Sequence, residues 1–429
     1  MTPFRRLLPS ALTAGSLLAL PLAAAPAPDL HAGLAQIEIT PTHPVTLSGY
    51  ASRKDLSQGV HDPLSARAVA FEQDGRQLVL VVLDNIGFYG GTAAPLRQAI
   101  LDTCGLQPPE LILAATHTHS APGLTLDPKR GHANNLAYTQ RLQGQLPELV
   151  KTAQGRRGPV RLTPGAGSSP VGVNRREPGR DAAGSVKIKL GRNPAKLTDR
   201  EVQVVKITRA EGGALLGALF AYATHSTAMG PRNYQISGDV HGLAAQFVER
   251  HLGEGVIAPA LAGASGDIDP WFRVLPEFTT KNGWIPEAVL MGTMLGEEVV
   301  HVLNRPTKPG AGGPLTSILK TLELPAKPRT RAGESASSPT LPFTVTVARV
   351  GEVALVGLGG EVGNEIGAAI KAASPFGCTV VLTHCNGGAG YLVPAHYYPE
   401  GGYEPETSPF TEAAAARVIA EVGSLLREL

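Results

Sequence analysis

Leu111-Ile112-Leu113-Ala114-Ala115-Thr116-His117-Thr118-His119-Ser120-Ala121-Pro122-Gly123 is the stretch on which the reading of the fold turns. Its apolar first half reads as a buried strand, and its second half reads as the loop that the strand feeds. Side chains alternate along an extended segment, so residues two apart share a face, roughly 6.6 Å from one another. His117 and His119 therefore point the same way at the strand's end and offer two imidazoles to a metal or a reacting group. A histidine pair also satisfies a tight turn by hydrogen bonding, and this stretch alone leaves both readings open.

The same pattern recurs four times further along. The apolar run at 214–223 leads into Thr224-His225-Ser226-Thr227, and that at 256–261 into Gly263-Ala264-Ser265-Gly266-Asp267-Ile268-Asp269-Pro270. Residues 353–358 lead into Gly359-Gly360-Glu361, and 379–383 into the His384 to Tyr391 loop. In open α/β sheets ligands gather outside the carboxyl ends of the strands, which gives these five loops one address. Two histidines, a carboxylate and a further oxygen donor suit a catalytic zinc with an open position.

The remaining elements follow from pattern and turn chemistry. Hairpins are expected at 68–71/77–83 across Asp74-Gly75, at 201–208/214–223, and at 343–350/353–358. Helices are expected at 95–104, 135–155, 240–251 with Asp239 as cap, 286–303, after Glu361 to 373, and 409–426. Pro147 is expected to kink or split the second of these. Residues 159–200 read as irregular, and 305–341 as surface loop around a strand at 317–324. The fold class is α/β, a mixed β-sheet core with flanking helices and long Gly/Pro-rich loops.

The 429 residues suffice for one large domain or two ordinary ones. Gly and Pro make up about a fifth of them, which favours sharp loops between short elements. Net charge is +2 without a basic block or aromatic–basic interleaving, which excludes nucleic acid as a partner class. Residues 1–25 read as a signal peptide: a positive start with Arg5-Arg6, an apolar stretch over 7–23, and Ala23-Ala24-Ala25 as cleavage site. A membrane anchor is the alternative, disfavoured by Pro9 and Pro21. Export to the periplasm or outside the cell is therefore expected, with no transmembrane segment once the signal is removed. Cys378 and Cys385 end one strand too far apart for a disulfide, and either is left to pair with Cys104.

Taken in order, Thr116 to Gly123, Thr224-His225-Ser226-Thr227, Gly266-Asp267-Ile268-Asp269-Pro270, Gly360-Glu361 and Gly390-Tyr391 resemble the neutral/alkaline (non-lysosomal) ceramidases. Gly33 to Pro41 and Gly402-Tyr403-Glu404 also look like landmarks of that family. The resemblance runs from residue 32 to 429 and covers the catalytic domain only, without the family's C-terminal β-sandwich. It implies that His117, His225, Glu361 and Tyr391 bind one zinc and that His119 sits beside the reacting carbonyl. It also implies substrate contacts for Arg175 and Tyr403. Bland readings stand beside these: a core histidine at 225, a helix-start carboxylate at 361, a packed ring at 391, a solvated charge at 175. The family places a nucleophilic serine three residues after the glycine of its Gly-Asp motif, and here that position is Asp269. Ser265 lies outside it, with no G-x-S-x-G elbow.

The expected function is hydrolysis of an acyl-amide or ester bond in a small-molecule or lipid substrate by zinc-activated water, since zinc makes hydroxide available without a serine. Asp269 or Asp267 would accept the water's proton, and His119 would stabilise the oxyanion or protonate the leaving group. Loop hydrogen bonding before Pro270 is the alternative for the aspartates, more so for Asp267. The first rival is a non-catalytic lipid- or ligand-binding homologue that keeps the metal. The second is a phosphoester or cyclic-amide hydrolase with two metals, for which Asp239 and His241 are the only spare ligands.

Overall fold

The structure is a computed structural model and describes residues 30–272, 286–305, 310, 312–328 and 340–429. The expected signal peptide lies outside the described residues. Among the described residues no helix is long and apolar enough to cross a membrane.

Two sheets build the core, as the alternating and continuous apolar runs require. The larger has eight strands in the order Ala260–Ala262, Leu215–Tyr222, Glu201–Arg209, Gly158–Ser168, His31–Glu38, Ser65–Gln73, Arg76–Leu83 and Leu111–Ala115. Its middle is antiparallel, while the outermost pair at each edge is parallel. The smaller runs Leu315–Pro325, Thr340–Val350, Val353–Leu358, Cys378–Leu382, the last pair again parallel. Apolar side chains from both sheets, among them Ile112, Leu219, Leu261, Leu355 and Leu382, form one buried cluster between them. Helices Ala93–Cys104 and Ala133–Gly155 cover one outer region of the large sheet, and Asp239–Leu252 and Pro286–Asn304 another. Asn364–Ala373 and Ala414–Glu428 cover the small sheet. This is the mixed α/β architecture expected from the sequence.

The two edges of the large sheet are stitched together just past their strand ends. Thr118 and Ser226 form a parallel bridge, His119 N donates to Ser226 O at 3.1 Å, and Ser226 Oγ donates to Thr116 O at 3.3 Å. Thr383 N donates to Ala262 O at 2.9 Å and ties in the small sheet. The five loops therefore emerge side by side, because each follows the carboxyl end of a parallel-paired strand.

Leu111–Ala115 is an edge strand, and Asn386 replaces its missing neighbour. Asn386 N donates to Leu113 O and Leu113 N to Asn386 Oδ1, both at 2.8 Å, while Asn386 Nδ2 reaches Leu111 O and Thr346 Oγ1. Asn386→Ala is expected to lower stability by about 3 kcal/mol, since it strands buried backbone groups on the strand that carries the histidines. Urea unfolding checks this, and a loss below about 1 kcal/mol would contradict it.

Several expectations are corrected. Residues 159–200 are not irregular: Gly158–Ser168 is an interior strand, paired over nine positions with Glu201–Arg209 despite Pro159 and Pro164. Its partners supply an order that its own unpatterned residues do not. The strand expected at 317–324 is present and longer, Leu315–Pro325, and it pairs along its whole length with Thr340–Val350 as part of the smaller sheet. The helix Ala133–Gly155 runs through Pro147 unsplit, held by the buried Leu142, Leu146, Leu149 and Val150. The strand expected at 256–261 shrinks to Ala260–Ala262, with Ile257 making only an isolated bridge to Gly217. Gly238, not Asp239, is the cap of the third helix, and Asp239 accepts from the N–H groups of Ala228, Met229 and Val240 instead. Residues 409–413 precede the last helix, Ala414–Glu428. All three cysteines are free.

Candidate metal and active site

His117 and His225 are fixed at their Nδ1 atoms. His117 Nδ1 lies 2.7 Å from the Ile86 carbonyl, and His225 Nδ1 lies 2.7 Å from Ser265 O and 3.0 Å from Ile268 O. A ring nitrogen facing a carbonyl carries the proton, which leaves the Nε2 lone pair of each ring available. The two rings are 4.6 Å apart between centroids, and His119 Nε2 is 3.3 Å from His117 Nε2. One ring nitrogen from each of His117, His119 and His225 falls within 4.8 Å of the others, a group that could hold a metal ion. His117 adopts φ 61, a left-handed conformation unusual for a side-chain-bearing residue, so the alternation expected of a strand is already broken there. The turn, and not strand periodicity, aims both imidazoles.

Glu361 closes the group. Its Oε2 is 3.6 Å from His117 Nε2 and 3.7 Å from His225 Nε2. Tyr391 is placed beside it by a short parallel strand pair whose register sets Glu361 opposite Tyr391. Arg175 Nη2 donates to the Tyr391 phenol at 3.0 Å. Burial would raise the Glu361 carboxyl, but His225 beside it, then His117 and His384, hold it well below the usual range. Burial and neighbouring imidazoles lower His117, and burial followed by His225 brings His119 to about 3. Neutral imidazoles with converging lone pairs beside an ionised carboxylate make a donor set that a divalent cation satisfies.

The other expected site residues fall around this group in different ways. Arg175 is buried and fully engaged: Nε donates to Glu404 Oε1 at 2.7 Å, Nη1 faces His225 Nε2 and Asp269 Oδ1 at 3.2 Å each, and Nη2 also reaches Gly266 O. It is an interior organiser, not a solvated charge. Asp269 presents its second oxygen to Arg192 Nη1 at 3.5 Å. Asp267 accepts from Asn174 Nδ2, Tyr397 Oη and Asn364 N at 2.8, 2.6 and 2.7 Å, so both of its oxygens serve to join three loops. Tyr403 is half-exposed, its ring 5.7 Å from that of Tyr391. Ser265 turns its carbonyl to His225 Nδ1, and its buried hydroxyl has no hydrogen-bond partner. No imidazole stands ready to activate it.

Three residues escaped the sequence reading. Tyr89 donates to Glu361 Oε1 at 2.8 Å, His384 stacks on His117 at 3.8 Å, and the buried Glu404 ties Arg175 to Arg176. Tyr89 follows the strand Arg76–Leu83, parallel neighbour of Leu111–Ala115, so extending the shared-address argument to a sixth strand would have found it. Asp239 and His241 do not join the metal group: His241 Nδ1 faces Ser226 Oγ at 2.7 Å and its Nε2 faces Tyr222 O.

Fold and centre together define an α/β protein with a buried histidine–carboxylate site at the carboxyl ends of its strands. The family described as neutral/alkaline non-lysosomal ceramidase, N-terminal, matches residues 31–270. The chain belongs to that family of hydrolases. It is 27% identical over 229 residues to a neutral ceramidase of Mycobacterium tuberculosis, covering 48% of this chain and 33% of that protein. It is 26% identical over 267 residues to a neutral ceramidase of Drosophila melanogaster, covering 56% of this chain and 36% of that one. The chain thus spans about a third of the length of these relatives. The crystal structure of neutral ceramidase from Pseudomonas aeruginosa superposes with a TM-score of 0.76 at 20% identity, over 94% of this chain and 75% of that one. That likeness establishes the fold.

Proposed function

We propose that this chain is an exported zinc-dependent hydrolase of an acyl-amide or ester bond in a small-molecule or lipid substrate, with residues 1–25 removed as signal and residues 32–429 as the catalytic unit. The observation that carries this reading is the convergence of imidazole nitrogens and Glu361 in one cluster, with carbonyls pinning the two Nδ1 atoms. His117, His225, Glu361 and Tyr391 would hold the ion. Zinc in such a site polarises a carbonyl and lowers the pKa of water to about 7.

The chain's own residues do the rest. Asp269, steadied between Arg175 and Arg192, accepts the proton of the attacking water. Asp269 then returns that proton to the departing nitrogen or oxygen as the acyl bond breaks, after the new carbon–oxygen bond has formed, and His119, neutral because burial lowers it to about 3, donates its N–H to the oxyanion. Arg175 holds the Tyr391 phenol in place, and Tyr403 contacts the substrate at the half-exposed rim. Asp267, with both oxygens committed to neighbouring loops, keeps the Asp269 loop in shape.

The test is a panel of acyl-amides and esters, with free and lipid-linked head groups, incubated with the purified protein before and after chelation. Hydrolysis of an acyl-amide, lost on chelation and restored by zinc, is the expected result. Zinc retained without hydrolysis of any substrate would make the chain a binding protein, and hydrolysis that survives chelation would remove the metal from the mechanism.

A further inference from the structure

The chain leaving the strand Arg76–Leu83 touches the histidine cluster at two points only three residues apart. The Ile86 carbonyl receives the Nδ1 proton of His117, and the phenol of Tyr89 donates to Glu361 Oε1 at 2.8 Å. Two glycines reserve the space for the Tyr89 ring. A Cβ on Gly87, where φ is 141, would stand 2.9 Å from that ring, and one on Gly388 would stand 3.0 Å from it and 2.7 Å from the Phe88 carbonyl.

A carboxylate near a cation can offer one oxygen or both, and its rotation decides which. Here Oε1 is taken by Tyr89, and Oε2 is the oxygen 3.6 and 3.7 Å from the two Nε2 atoms. Resting on the zinc reading above, we propose that Tyr89 is a positioning residue for the metal centre: its phenol holds Glu361 so that Oε2 alone faces His117 and His225. The loop from Asp84 to Tyr89 thereby fixes two donors at once, the tautomer of one and the rotation of the other.

Tyr89→Phe removes one oxygen atom and leaves the ring between its glycines. The full chain is loaded with zinc in competition with a chromophoric chelator, and with Co2+ for its visible absorption. Tyr398→Phe, which removes a phenol that donates to Phe410 O at 2.9 Å, is the control. Zinc affinity in Tyr89→Phe is expected to fall about 10- to 100-fold with an altered Co2+ spectrum, and Tyr398→Phe to match wild type in both. Affinity within twofold of wild type and an unchanged spectrum overturn the inference, as does equal weakening in the control. The zinc-induced infrared difference spectrum of the wild type decides the point without a variant: wide carboxylate splitting supports one-oxygen binding, and narrow splitting overturns it. Wild-type protein that takes up no zinc removes the zinc reading itself, a result distinct from zinc uptake indifferent to Tyr89.

Discussion

His225→Ala is expected to fold, to lose its zinc, and to hydrolyse acyl-amide substrates at least about 10³-fold more slowly, a loss of about 4 kcal/mol in transition-state stabilisation. His225 sits where three dependencies meet. Its Nδ1 is spoken for by two carbonyls of the Ser265–Ile268 turn, its Nε2 faces the cluster, and its backbone N donates to Ile268 O at 2.9 Å. The backbone bond survives truncation, so the loop keeps its course while the cation loses a donor. Metal content by mass spectrometry, with kcat/KM on the same preparation, reads both effects. A variant that keeps stoichiometric zinc and more than a tenth of wild-type kcat/KM would sink the assignment of this centre.

Asp269→Asn is the second large effect. It keeps the size of the side chain and one oxygen for Arg175 or Arg192, yet removes the charge that would receive a proton in the proposed reaction. The expected outcome is a fall in kcat of about 10²- to 10³-fold with KM little changed, the signature of an interaction needed only in the transition state. Zinc content stays at the wild-type level, because Asp269 is held by two guanidinium groups and stands outside the expected ligand set. If Asp269 served only to space two arginines, the amide would do as well, and kcat within twofold of wild type would establish that role. The same pair of measurements separates this residue from Arg175, whose removal would leave the buried Glu404 and Asp269 carboxylates with one guanidinium each in place of two and cost stability outright.

The charge network around Arg175 ties this loop set together. Glu404 is bound by Arg175 on one oxygen and Arg176 on the other, at 2.7 and 2.8 Å, and Arg176 continues to Glu400 at 3.0 Å. Two adjacent guanidiniums thus share one buried carboxylate, each with a second carboxylate of its own, and the Arg176 guanidinium carbon also lies 3.9 Å from the Tyr397 ring centre. Tyr397 in turn donates to Asp267. The path from the rim helix Tyr403–Thr407 to the Asp267–Asp269 loop therefore runs through charge-assisted hydrogen bonds and one cation–π contact.

By itself the sequence determined what is local. Strand periods, the Asp74-Gly75 turn with φ of 52 and 76, and the helix stop at Gly105 follow from residue chemistry and appear in place. The five strand ends with polar tails announced a common address because chain direction and apolar length are both written in one dimension. What only the tertiary structure decided is which of those tails meet, and through which atoms. Gly158–Ser168 becomes an interior strand because flanking strands complete its hydrogen bonds, and Glu361 meets Tyr391 because a two-residue parallel pair sets their register across 29 intervening residues. Tyr89 and His384 follow strand ends, but nothing in the spacing of Tyr89, His384 and Glu404 says which atoms they meet. Their tasks come from burial, which strips water from a phenol, a ring or a carboxylate and makes the nearest protein atom its only partner.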